Sequence, residues 1–100
     1  MPWQIVFDPE TLQTLDSAFQ WYQSKQLGLG VRFISSIQLK LNTIRLRPET
    51  FGSRANKQFR EAKIDHFPYS IVYRVDKKHQ TIYITSIHHT KKHPGRKYRK

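Results

Sequence analysis

Two stretches with the same helical spacing, split by a pair of glycines and stopped by a proline, constrain the first half of this 100-residue chain more than any other feature. Leu12, Leu15, Phe19 and Tyr22 recur at intervals of three, four and three, and Ile34, Ile37, Leu41 and Ile44 repeat those intervals. Such spacing lines one face of an amphipathic helix. Asp8 stands where a helix N-cap is favoured, Pro9 suits the first helical position, and Glu10 adds negative charge to the first turn. Gly28-Leu29-Gly30 ends the first helix, because glycine readily takes the left-handed conformation of a helix end. The second helix runs from Val31 until Arg47-Pro48 forbids its continuation. A joint this short folds the two into an antiparallel hairpin.

Strand spacing flanks the hairpin. Trp3, Ile5 and Phe7 alternate along a short first strand. After a loop from Pro48 to about Asn56, strand character returns over Phe59 to Ile64. In Tyr69 to Val75, the side chains of Tyr69, Ile71, Tyr73 and Val75 share one face, and those of Ser70, Val72 and Arg74 share the other. A polar turn from Asp76 to Gln80 leads into Thr81 to Ile87, which is rich in β-branched residues. The expected fold is therefore α+β: an N-terminal strand, an antiparallel helix hairpin, then a three-stranded antiparallel meander with the helices covering one face. The opposite face, bearing Arg74, is left partly open and is where a target would bind. Residues 1 to 100 make one domain, with a basic tail at about 91 to 100 in which six of ten residues are Lys or Arg.

Charge separates the two halves. The chain carries 18 Lys/Arg against 7 Asp/Glu, a net +11, yet the first fifty residues hold five basic and four acidic side chains, so the second fifty carry +10 of that surplus. A one-sided field of this sign favours a polyanion or an acidic protein partner. Cysteine is absent, which removes disulfides, thiol nucleophiles and cysteine-type zinc sites, and no metal or other cofactor is expected. The N-terminus lacks a basic region followed by an apolar stretch, and no run of eighteen apolar residues occurs, so a cytoplasmic protein without a membrane partner is the expectation.

Four segments in order are more specific than this outline: Trp21-Tyr22, Gly28-Leu29-Gly30-Val31-Arg32-Phe33, Phe67-Pro68-Tyr69-Ser70-Ile71-Val72-Tyr73 and Ile84-Thr85-Ser86-Ile87-His88-His89. Their order and intervals resemble the RelE/ParE superfamily of toxins from type II toxin–antitoxin systems, over nearly the whole chain. The resemblance implies a growth-inhibiting toxin held by a cognate antitoxin in a hetero-oligomer, the antitoxin masking its active surface with an acidic or amphipathic segment. Phe33, Phe67, Tyr69 and Tyr73 read as packing residues rather than catalytic ones, and Pro68 as a strand start.

Two activities follow from the resemblance. RelE-like members resemble metal-independent endoribonucleases that cut messenger RNA on the ribosome. That reaction needs a base for the 2′-hydroxyl, cations for the charged phosphorane and an acid for the leaving 5′-oxygen. Arg60, Lys63, Arg74, His88, His89 and Tyr98 are the catalytic candidates, with Lys91, Lys92, Arg96 and Lys97 as nucleic-acid contacts. Alternation places His88 and His89 on opposite faces if the strand extends to them. In RNA-cleaving relatives an arginine commonly falls at the position of Ser70, and another near Thr90; serine and threonine stand here instead. ParE-like members resemble non-enzymatic inhibitors of DNA gyrase, and they also lack the arginine at the Ser70 position. A non-toxic module that binds nucleic acid or antitoxin is a third reading. The concentrated basicity favours messenger cleavage on the ribosome over gyrase inhibition by a narrow margin.

Overall fold

The computed structural model describes residues 3–54 and 58–90. Its elements run β1 (Gln4–Phe7), α1 (Pro9–Lys25), α2 (Leu29–Leu46), β2 (Ser53–Arg54), β3 (Phe59–Lys63), β4 (Tyr69–Asp76) and β5 (Thr81–His89). The strands form one sheet in the order β1-β5-β4-β3-β2.

The expected meander is present: β3 pairs antiparallel with β4, and β4 with β5. The sheet as a whole is mixed, because β1 lies parallel to β5, with Gln4 opposite Thr81 and Phe7 opposite Ile84. A parallel neighbour needs a long crossover, and here the helix pair and the other strands intervene. The Pro48–Asn56 loop also contains a strand, β2, whose two residues pair with Arg60 and Phe59.

Helix α1 starts as its sequence demands. The Asp8 carboxylate accepts the Glu10 N–H at 2.9 Å, and Pro9 follows the cap. The buried stripe is rotated from the expected one, however. Thr11, Ala18 and Tyr22 are buried and Leu15 partly so, while Leu12 is 51% exposed. Thr11 fits because its hydroxyl reaches the Ile84 carbonyl at 3.5 Å, and Ala18 because it is small enough for a helix against a sheet. In α2 the buried set is Gly30, Phe33, Ser36, Ile37 and Ile44, with Ile34 and Leu41 partly buried.

The two glycines have separate jobs. Gly28, at φ +90°, makes the left-handed turn between the helices. Gly30 is not part of that turn but lies in the first turn of α2, where an added Cβ would come within 2.7 Å of the Phe19 carbonyl oxygen. It is the point of close approach in the hairpin.

A bulge sets the face of the last strand. Val72 opposes Ser86 and Tyr73 opposes Ile84, so Thr85 is an extra residue in β5. Its hydroxyl donates to the Val72 carbonyl at 3.2 Å. Without the extra residue, strict alternation would put Ile82 and Ile84 on the core side and Ile87 on the other. With it, all three enter the core beneath the helices together with Ile71 and Tyr73.

The second face of the sheet is less open than expected. Phe59, Val72, Ser70 and His88 share it by register and alternation, and their relative exposures are 1%, 0%, 3% and 9%. Exposed positions on that face fall towards its margins, as at Lys63.

Candidate functional site

Lys63, Ser70 and His88 stand at one level on three neighbouring strands, Lys63 opposite Ser70 and Ser70 opposite His88. Side chains directly opposed across a strand pair start about 5 Å apart, so these three share one short row on the face away from the helices. Lys63 is exposed, whereas Ser70 and His88 are buried. The row offers one cation, one hydroxyl and one imidazole.

The remaining candidates are elsewhere. Arg74 lies four residues along β4 from Ser70, about 13 Å away at strand rise, with its guanidinium 4.5 Å from the centre of the Tyr83 ring. Arg60 is opposite Tyr73 and therefore on the helix side. Its Nη1 donates to the carbonyl of Phe51 at 2.6 Å and to that of Glu49 at 3.3 Å. The Tyr73 hydroxyl donates to the Pro48 carbonyl at 2.7 Å, so the two side chains together fasten residues 48–51 onto the sheet.

His89 also faces the helices. Its ring meets Tyr69 edge-on at 5.1 Å, and Tyr69 in turn packs against Phe33 and Tyr22. A cleft of about 580 Å³ opens here between α1 and the sheet, with Trp21, Tyr22, Pro68, Tyr69 and His89 among its walls. Burial pushes the Tyr69 hydroxyl above the usual tyrosine range, aided by the nearby Tyr22, and burial does the same to Tyr22. Neither phenol is set up to donate its proton readily at neutral pH. The expected separation of His88 from His89 thus holds, and it assigns His89 to an aromatic wall.

Tyr98, Lys91, Lys92, Arg96 and Lys97 lie outside the described residues. Among the described residues no group of three or more His, Asp or Glu side chains is placed to hold a metal ion, and no helix is long and apolar enough to cross a membrane.

Tyr83 carries no motif that marks it in the sequence, although its place between Ile82 and Ile84 turns it away from the core, beside Arg74. Ser70, which in the sequence stands only where relatives carry an arginine, is a hydroxyl donor within the row. The role of Arg60 was not readable, since it depends on the path of residues 48–51.

Comparison with known proteins agrees with this architecture. A family model described as the ParE toxin of a type II toxin–antitoxin system, parDE, matches residues 5–94. No curated protein matches the chain. Among solved structures, the chromosomal ParDE toxin–antitoxin system of P. aeruginosa contains a chain that superposes with a TM-score of 0.75 at 14% identity, over 89% of this chain and 97% of that one. The isolated RelE toxin of E. coli superposes with a TM-score of 0.65 at 19% identity, over 93% of this chain and 89% of that one. At these identities the two structures bear on the fold.

Proposed function

The chain belongs to the ParE toxin family of type II toxin–antitoxin systems, and on that premise we propose that it is a toxin that blocks DNA gyrase by binding it, and is itself neutralised by a cognate antitoxin. The dispersal of the catalytic candidates carries this reading. Of the five within the described residues, two face the helices, Arg74 is about 13 Å along its strand, and only Lys63 and His88 share a row. A pentacoordinate phosphate needs cations converging on it beside an acid or base; the row with His88 supplies a single lysine, and the two arginines line a cup at the other end of β4 that includes neither His88 nor His89. Binding a protein target demands no such convergence.

Messenger cleavage on the ribosome is the second reading, favoured by the Lys63, Ser70 and His88 row and by the +10 carried in the second half of the sequence. There the imidazole would act as acid or base, the lysine would neutralise the phosphate, and the Ser70 hydroxyl would donate to a phosphate oxygen.

One paired assay tests both. The purified chain is titrated into a gyrase supercoiling reaction and, separately, into ribosomes programmed with a defined message. The proposal expects supercoiling to be lost as the chain is added while the message stays whole. Cuts in ribosome-bound message with supercoiling intact would replace the proposal with the second reading.

A further inference from the structure

Arg60 and Arg74 were singled out as catalytic candidates, yet neither belongs to the Lys63 row. They meet at the other end of β4. There β4 continues to Asp76 beyond the start of β3 at Phe59, with Arg60 on the helix face of the sheet and Arg74 on the other. Together with Glu49, Gln58, Asp76 and Lys77 they line a cup of about 570 Å³.

The carboxylates of this cup are already engaged. Glu49 takes the Lys77 ammonium at 2.9 Å, and Asp76 takes the His79 ring nitrogen at 2.8 Å. Both carboxyls are held below the usual carboxylate range, chiefly by those hydrogen bonds, so both are anions at neutral pH. Among the described residues neither arginine makes a direct ion pair, although Arg60 lies near enough to Glu49, and Arg74 to Asp76, to help hold each carboxyl down. Each arginine is instead steadied by a neutral partner: Arg60 by the Phe51 and Glu49 carbonyls, Arg74 by the Tyr83 ring. These supports fix the planes of the guanidiniums and leave N–H groups undirected. Much of the entropic cost of ordering two long side chains is met before a ligand arrives.

We infer that this cup binds a phosphodiester group of a nucleic-acid backbone, between the guanidiniums of Arg60 and Arg74. The fork of a guanidinium matches two phosphate oxygens, and two forks approaching from different sides suit a tetrahedral anion better than a planar carboxylate. No base-reading group is needed, so the contact anchors without specifying sequence. The inference does not rest on the choice of target, since gyrase carries DNA and the ribosome carries RNA.

The test measures binding of the purified chain to a short single-stranded RNA and to a short DNA duplex by fluorescence anisotropy, between about 50 and 200 mM salt. Arg74→Gln is compared with Arg32→Gln, which removes the same charge from an exposed site on α2. Thermal unfolding establishes that both variants fold. Arg74→Gln is expected to weaken binding about tenfold, the scale of one charge-assisted hydrogen bond, and to flatten the salt slope by about one, while Arg32→Gln changes little. Loss on the RNA alone or on the DNA alone identifies the source of the phosphate, and equal loss on both makes it the backbone common to them. Equal weakening by the two variants would reduce the effect to net charge and overturn the inference. So would a loss seen only towards an acidic peptide, with both nucleic acids bound as before.

Discussion

Tyr73 joins the core to the surface loop that precedes the sheet. Its ring is fully buried, and its hydroxyl donates to the Pro48 carbonyl. Replacing it by Phe keeps the ring and deletes one buried hydrogen bond, so unfolding in denaturant should show a loss of about 1 kcal/mol. Burial also pushes the phenol up to about 12, against 10 for a free tyrosine. Between those values the unfolded chain releases a proton that the folded chain retains, so this contribution is intact below pH 10 and is lost as pH rises towards 12. The Tyr73→Phe variant should therefore lose stability less steeply than the parent over that range, with Tyr22 and Tyr69 supplying the remaining slope. An identical slope in the two proteins would remove Tyr73 as a source. Gly30 gives a second check at this scale. Its missing Cβ is the space occupied by the backbone of Phe19, and the Gly30 N–H donates to the Gln23 side chain at 2.9 Å. Gly30→Ala should cost about 1–3 kcal/mol, as overpacking does, and Gly28→Ala about 1 kcal/mol through its left-handed backbone alone. Thermal unfolding of both variants ranks the two sources of cost, and a harmless Gly30→Ala would show that the helices can separate at no expense.

Among the elements, both helices, the hairpin between them and the three long strands are legible in chain order, because local periodicity is enough to specify them. What was not legible depends on pairing across distance. The parallel seat of β1 beside β5 follows from packing of Ile5 and Phe7 under the helices, and no turn residue announces it. The two-residue β2 is too short for any spacing signal. The phase of α1 differs from its apolar spacing because Thr11 and Ala18, neither strongly apolar, are buried in place of Leu12. The bulge at Thr85 left a trace, since Ile82, Ile84 and Ile87 cannot all satisfy a period of two, but the sequence alone does not say which residue is extra. This makes a prediction about β5. Deleting Thr85 leaves Ser86 alone opposite Val72 and keeps all three isoleucines on the core side, whereas deleting Tyr83 throws one flank of the strand onto the wrong face. Circular dichroism and cooperative melting should show a folded protein for the first deletion and not for the second. Two folded products would mean that the phase of β5 is not fixed by its isoleucines.

At the level of the whole molecule, membership of a toxin family was legible from four ordered segments, and the target was not, because it turns on which side chains the pairing register brings together. The charge adds something the register does not. The helix hairpin belongs to the half of the sequence that is nearly neutral, whereas the second half carries +10, of which residues 91–100 supply +6 and residues 59–90 only +2. A partner drawn by that field is steered by the charge of the second half of the sequence, while the cleft between α1 and β4, walled by Trp21, Tyr69 and His89, presents apolar surface that salt scarcely affects. Association with an acidic antitoxin should therefore separate into two kinetic terms. Raising the salt from about 50 to 500 mM should slow association roughly tenfold or more, as steering is screened, and change dissociation far less. Trp21→Ala should do the reverse, because Trp21 is 56% exposed at the mouth of the cleft and adds no charge. Surface plasmon resonance on the toxin–antitoxin pair resolves both rates. If salt acts chiefly on dissociation, the charged half is part of the closely packed interface, and the division between a steering surface and a holding surface does not apply to this toxin.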